Sequence, residues 1–90
     1  MSDNSLQVES ELLDIIRTKG KVTTPAALIG ADDDLYKLGL SSLATVNVML
    51  EIEGRFNIEI PDEALTRDTF RTIASLAALV RAQLSKSVSA

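Results

Sequence analysis

Apolar residues recur at helical spacing in three stretches of the 90-residue chain. The first stretch predicts a helix from about Leu6 to Thr18, followed by Gly20 at a position where helices often end. A second helix is predicted from about Ser42 to Phe56, and a last helix begins near Thr72, a good N-cap residue. Pro61 and the two acidic residues after it predict a brief extra helix between these two.

The resulting fold class is all-α: a small bundle with three main helices, one short helix, and a long loop between the first two helices. We expect a single domain over residues 1–90, with an ordered core at about 6–84 and flexible ends at 1–5 and 85–90. Hydrophobic residues make up 46% of the chain but aromatic residues only 3%. The core must therefore be built from aliphatic side chains.

The loop at 21–41 is unusually long for a compact domain, and loops of that kind are often functional. Its acidic run, Asp32-Asp33-Asp34, lacks the alternating spacing and final Glu of a calcium loop. A solvated loop is the better interpretation of this run, and no metal site is predicted.

The second predicted helix carries apolar residues on two sides. At about 100° per residue, one side is formed by Val48, Met49, Ile52 and Phe56, and the nearly opposite side by Leu43, Val46 and Leu50. We call the second set the Leu43–Val46–Leu50 stripe. Either the helix is buried on both sides, or this stripe is exposed and binds a partner protein.

Composition excludes several function classes. The chain has no cysteine and no histidine, so it can form no disulfide and no histidine-based catalytic or metal site. Asp62 and Glu63 are adjacent and do not face one another, so they do not predict paired catalytic carboxylates. The net charge of −4 argues against nucleic-acid binding. Neither a signal peptide nor a membrane span is evident, so we expect a cytoplasmic protein. Because the chain has no His or Cys to complete a nucleophile–base set, we also expect that it is not an enzyme.

One short motif carries most of the functional information. Gly39-Leu40-Ser41-Ser42-Leu43 opens the second helix, and Ile58-Glu59-Ile60-Pro61-Asp62-Glu63 follows it. From about Asp34 to Leu84 the chain resembles the acyl carrier protein and peptidyl carrier protein family. In that family the serine of a G-x-x-S-L signature receives a 4′-phosphopantetheine arm, whose thiol holds an acyl or aminoacyl group as a thioester. The resemblance implies an acyl-carrier-like bundle.

The resemblance also implies that Ser42 is the attachment residue, with Gly39, Ser41 and Leu43 around it. Ser41 stands where the family usually has Asp, or often His in peptidyl carriers. Spacing to Gly39 and Leu43 favours Ser42 over Ser41 as the modified residue. The alternative for Ser42 is a simple helix cap, because serine is a common N-cap residue.

Fatty-acid carriers that resemble this chain usually have acidic residues along the second helix. Here Ala44, Asn47, Gly54 and Arg55 stand at positions that are often acidic, and only Glu51 and Glu53 remain. Partner docking should therefore depend more on apolar contacts than on salt bridges. The partner-binding residues implied are Leu43, Val46, Asn47, Leu50 and Arg67. Such a carrier would serve a specialised pathway of aminoacyl, peptidyl, polyketide or lipid-modification type rather than general fatty-acid synthesis.

The implied partners are a phosphopantetheinyl transferase, an adenylate-forming acyl or aminoacyl ligase, and a downstream synthase or transferase; the carrier itself would be a monomer. A rival hypothesis is a helical adaptor that binds one protein through its second helix without modification. Tyr36 is expected to anchor the long loop, with contact to the arm or its cargo as the alternative. Arg67 and Arg71 are interpreted as solvated charges, or alternatively as partners for an arm phosphate or an acidic protein.

Overall fold

The computed structural model describes residues 4–88, which form three α-helices: α1 (Asn4–Thr18), α2 (Ser42–Phe56) and α3 (Ile73–Val88). Single 3-10 turns lie at Ala26–Leu28 and Asp62–Ala64. No strand occurs in this described part of the chain. The all-α prediction is confirmed, and the brief helix predicted after Pro61 is one 3-10 turn. Among the described helices, none has the length and apolar character needed to cross a membrane.

Helix boundaries agree with the hydrophobic pattern most closely at α2, whose observed ends are the predicted ones. Helix α1 begins two residues before the predicted start. Helix α3 continues to Val88, so residues 85–88 are helical where the sequence analysis ended the helical pattern at Leu84. Neither Gly nor Pro interrupts residues 73–88, so nothing in the backbone ends the helix at Leu84. Residues 1–3 and 89–90 of the predicted flexible ends lie outside the described residues.

The core consists of the inward faces of the three helices together with side chains from the two connections. Burying one Leu, Ile or Val side chain contributes roughly 1.5–3 kcal/mol relative to leaving it exposed. The helices supply Val8, Leu12, Ile15, Ile16, Ala44, Val48, Ile52, Ile73, Leu76, Ala77 and Val80, and the connections supply Val22, Ile29, Leu35, Leu40, Ile60 and Phe70. As predicted, aliphatic residues dominate, and Phe70 is the single aromatic residue among these buried side chains.

The long connection between α1 and α2 is packed against the bundle. Leu35 is fully buried, and its N–H donates to the carbonyl of Arg71 over 2.7 Å. The N–H of Ala74, in the first turn of α3, donates to the carbonyl of Ala31 over 2.9 Å. These two hydrogen bonds join the loop to the segment before α3 and to the first turn of α3, and so help to fix the position from which α2 begins.

Arg55, near the end of α2, joins α2 to α1. Its guanidinium lies 2.9 Å from carboxylate oxygens of Asp14 and Glu11 on α1 and of Glu51 on its own helix. Hydrogen bonds to Asp14 and Glu11 raise the pKa of Arg55, so the residue stays charged. The side chain is 27% exposed, and solvent screening limits each such pair to about 0–1 kcal/mol. The network therefore orients two helices that the core already holds together.

Candidate functional site

The turn that precedes α2 depends on a glycine. Gly39 has φ of 117°, a conformation that L side chains rarely adopt. The N–H of Leu40 donates to the carbonyl of Leu35 over 3.0 Å, which closes the turn. A Cβ at Gly39 would meet no atom within 4 Å, so the surface before the helix is open. The glycine is required by backbone conformation, and the open space leaves the helix start accessible.

Two adjacent serines at this helix start have different roles. Ser41 is the N-cap: its backbone is extended (φ −96°, ψ 162°) and its Oγ accepts from the N–H of Ala44 over 3.1 Å. Ser42 is the first helical residue and is exposed. Its Oγ has no hydrogen-bond partner within the described part of the chain. The alternative that Ser42 is merely the cap is wrong, because Ser41 performs that function and leaves the Ser42 hydroxyl available.

The Leu43–Val46–Leu50 stripe lies on the surface. Leu43 is 84% exposed, Val46 51% and Leu50 56%, and Asn47 between them is also exposed. The opposite side of α2 is buried through Ala44, Val48 and Ile52. The interpretation that α2 is buried on both sides is therefore wrong, and partner binding by the exposed stripe stays a prediction. An exposed apolar surface of this kind is typical of a protein-binding site.

The acidic side chains of α2 are occupied by contacts within the protein. The carboxylate of Glu51 lies 2.9 Å from Arg55 and 4.0 Å from Lys19. The carboxylate of Glu53 accepts from the N–H of Ile60 over 3.0 Å. Glu51 is thus paired with cations, whereas Glu53 keeps its charge while it holds the backbone at Ile60. That docking on α2 is mainly apolar stays a prediction.

A groove of about 380 Å³ lies beside Ser42. Helix α2 forms one wall, the segment before α3 forms the other, and Tyr36 closes one part of the groove. The lining residues are Tyr36, Ser42, Thr45, Val46, Met49, Leu65, Thr66, Arg67 and Phe70. We call this the Ser42 groove. The sequence indicated Ser42, Val46, Tyr36 and Arg67 separately, but it gave no sign that they meet or that the other five residues join them.

Tyr36 and Arg67 form a stacked pair at the groove. The guanidinium carbon of Arg67 lies 3.9 Å from the centroid of the Tyr36 ring, within the range of a cation–π contact. Burial raises the pKa of the Tyr36 phenol, despite the opposing effect of the nearby arginines. The phenol therefore stays protonated at neutral pH. Tyr36 anchors the loop as expected, and it also contributes to the groove wall.

The acidic run in the loop has structural partners. The N–H of Gly30 donates to Asp33 over 2.8 Å, and the N–H of Tyr36 donates to Asp34 over 2.9 Å. Such side-chain contacts stabilise turns. Within the described residues, no group of three or more acidic side chains is arranged to hold a metal ion.

The site as a whole presents an exposed Ser42 hydroxyl that is free of structural hydrogen bonds within the described residues. The chain has no histidine or cysteine that could activate Ser42. What the arrangement offers is an exposed hydroxyl at the start of a helix, an exposed apolar stripe directly after it, and a groove beside it. Backbone N–H groups at the helix start favour an anion such as a phosphodiester at this position.

Comparison with known proteins agrees with this description. The family described as "Phosphopantetheine attachment site" matches residues 10–80. A relative from Agrobacterium fabrum, named aminoacyl carrier protein, is 39% identical over 69 residues, which are 77% of this chain and 83% of the relative. Another from Bradyrhizobium diazoefficiens, named aminoacyl carrier protein 2, is 25% identical over 84 residues, 93% of this chain and 94% of that protein.

Solved structures of similar proteins have the same fold. One comes from a crystal structure of an engineered Bradyrhizobium japonicum glycine:[carrier protein] ligase complexed with a carrier protein from Agrobacterium tumefaciens and AMP. The match has 38% identity and a TM-score of 0.76, and covers 81% of this chain and 97% of that one. A holo acyl carrier protein from Nitrosomonas europaea has 27% identity and a TM-score of 0.76, with coverage of 88% and 96%.

Proposed function

Since the chain belongs to the phosphopantetheine attachment site family, we propose that Ser42 bears 4′-phosphopantetheine and that the chain presents an aminoacyl group on this arm to partner enzymes. The observation that supports this proposal is that the two adjacent serines at the start of α2 have different roles. Ser41 caps α2, so the Ser42 hydroxyl is exposed without a competing structural role. The arm supplies the thiol that the chain itself lacks. The chain is a carrier, and the reactions belong to its partners.

An aminoacyl cargo is favoured over a fatty acyl cargo by two independent observations. Two relatives that match 77% and 93% of this chain are named aminoacyl carrier proteins, and a similar structure was solved with a glycine:[carrier protein] ligase. In addition, the acids of α2 are neutralised or engaged within the protein. We therefore assign loading to an adenylate-forming aminoacyl ligase, after a phosphopantetheinyl transferase has attached the arm.

Docking of these enzymes is assigned to the surface that begins beside Ser42. The Leu43–Val46–Leu50 stripe follows the serine directly, and Asn47 adds one neutral polar group to it. An apolar surface with few unpaired charges binds through desolvation and shape rather than through long-range attraction. The adaptor alternative uses the same stripe but leaves Ser42 unmodified, and it is not favoured by the family match.

The function is tested by loading the arm-bearing protein with an amino acid. The holo protein would be incubated with ATP, glycine and the glycine:[carrier protein] ligase, and its intact mass measured. We expect ATP-dependent gain of one glycyl group, reversed by hydroxylamine because the bond is a thioester. A Ser42→Ala protein carried through the same steps serves as the matched control and should gain nothing. A glycyl group that resists hydroxylamine, or that appears on the Ser42→Ala protein, would contradict the proposal.

A further inference from the structure

Ser42 and Arg67 line the same groove although the rest of α2 and the 3-10 turn after it lie between them in sequence. A group attached to the Ser42 Oγ begins at the edge of this groove. Its apolar wall includes Val46, Met49 and Phe70, and its volume is about 380 Å³. If Ser42 bears phosphopantetheine, as proposed above, the arm has an adjacent surface on which it can lie.

Arg67 carries a positive charge at the wall of the Ser42 groove. Within the described residues it forms no ion pair, and its contact is with the Tyr36 ring. Arg71, four residues later, differs in this respect, because its guanidinium lies 3.2 Å from the carboxylate of Asp68. Stacking on an aromatic ring orients a guanidinium while leaving its N–H groups available to an anion. Such a group is well suited to a phosphate, with which arginine forms short, charge-assisted hydrogen bonds.

We propose that the Tyr36–Arg67 pair anchors the phosphopantetheine arm in the Ser42 groove, with Arg67 donating hydrogen bonds to the phosphodiester. The pantetheine chain lies against the apolar wall. Of the hydroxyls at the groove surface, that of Thr45 donates to the Ser42 carbonyl and that of Thr66 bonds to Thr69, and the Thr45 oxygen can still accept from a pantetheine amide N–H. The unloaded arm thus rests on the bundle, and a partner enzyme withdraws it by competing for these contacts.

Weak contacts suffice for this arrangement because the arm is covalently attached. A tethered group has an effective concentration in the millimolar range or above, so it occupies an adjacent site without high intrinsic affinity. The groove remains open to solvent at Leu65, which is 43% exposed. An arm held in this way is ordered while no partner is bound, yet it can leave the groove when a partner enzyme docks.

The test compares amide NMR spectra of the apo protein and the holo protein, after intact mass has established that the arm is present. We expect chemical-shift changes on two separate segments: the start of α2, and residues 65–70 on the opposite wall. The Arg67→Gln holo protein should lose most of the changes at 65–70, and its phosphorus resonance should shift from that of the wild type. The Arg71→Gln protein is the matched control and should behave as the wild type does.

Two outcomes would overturn the proposal. One is a wild-type holo spectrum in which changes are confined to residues next to Ser42. The other is an Arg67→Gln holo protein whose changes equal those of the wild type. Arg67→Lys is a second variant, which keeps the positive charge but not the planar guanidinium. Its chemical-shift changes at residues 65–70 should be intermediate between those of the wild type and those of Arg67→Gln. The mass spectrum separates these results from failure of the proposed function, in which no arm is attached at all.

Discussion

The two apolar sides of α2 have similar side chains but opposite surroundings. Val48 and Ile52 are fully buried against the other helices, whereas Leu43 and Leu50 are 84% and 56% exposed. The buried side stabilises the fold because its side chains pack into the core of the same molecule. The exposed side has no such partner in the described chain, and the proposal above assigns it to the binding of a second protein. On that proposal, one side of the helix stabilises the fold and the other side recognises partners.

Truncation of each side should affect stability very differently. Ile52→Ala removes a fully buried side chain from the core, and such changes cost about 2–5 kcal/mol of unfolding free energy. Leu50→Ala, a matched truncation on the same helix, should stay within about 0.5 kcal/mol of the wild type. Urea denaturation followed by circular dichroism measures both. Equal losses would show that the stripe is covered in solution.

Polar substitution on the exposed side should affect docking and leave folding unchanged. Leu43→Asp or Val46→Asp should slow loading of the holo protein by the aminoacyl ligase about tenfold or more, as expected for residues at the centre of an interface. Substitution of Lys37, an exposed residue of the turn before α2, by Gln provides the control and should leave loading unchanged. Steady-state kinetics at varied carrier concentration measures the effect. Wild-type kinetics in the Leu43→Asp protein would contradict the assigned docking surface.

Features formed by residues close together in the sequence could be predicted from it, whereas features formed by distant segments could not. The bounds of α2 and its two stripes follow from helical periodicity within fifteen residues, so the pattern alone predicted them. The attachment motif is also contiguous, so Gly39 and Ser42 could be identified by resemblance. The distinct role of Ser41 as the cap became evident only from the hydrogen bond to Ala44.

Features built from distant segments could not be predicted in the same way. The Ser42 groove needs the loop before α2, the helix itself and the segment before α3 to meet, and no spacing in the sequence connects them. The ion pairs of Arg55 reach 41 and 44 residues back to α1. Helix α3 extends past Leu84 because nothing stops it, whereas the sequence analysis relied on the end of the apolar pattern. Apolar periodicity predicts buried faces, but helix ends depend on capping and on backbone breakers.

The central claim is that Ser42, and not its neighbour, bears the arm. Intact mass after incubation with coenzyme A and a broad-specificity phosphopantetheinyl transferase tests it most directly, with wild type, Ser42→Ala and Ser41→Ala compared. We predict a gain of one phosphopantetheine in the wild type and in Ser41→Ala, and none in Ser42→Ala. Loss of the cap in Ser41→Ala should cost about 1 kcal/mol of stability without removing the attachment site. Modification that persists in Ser42→Ala, or that disappears only in Ser41→Ala, would contradict the assignment.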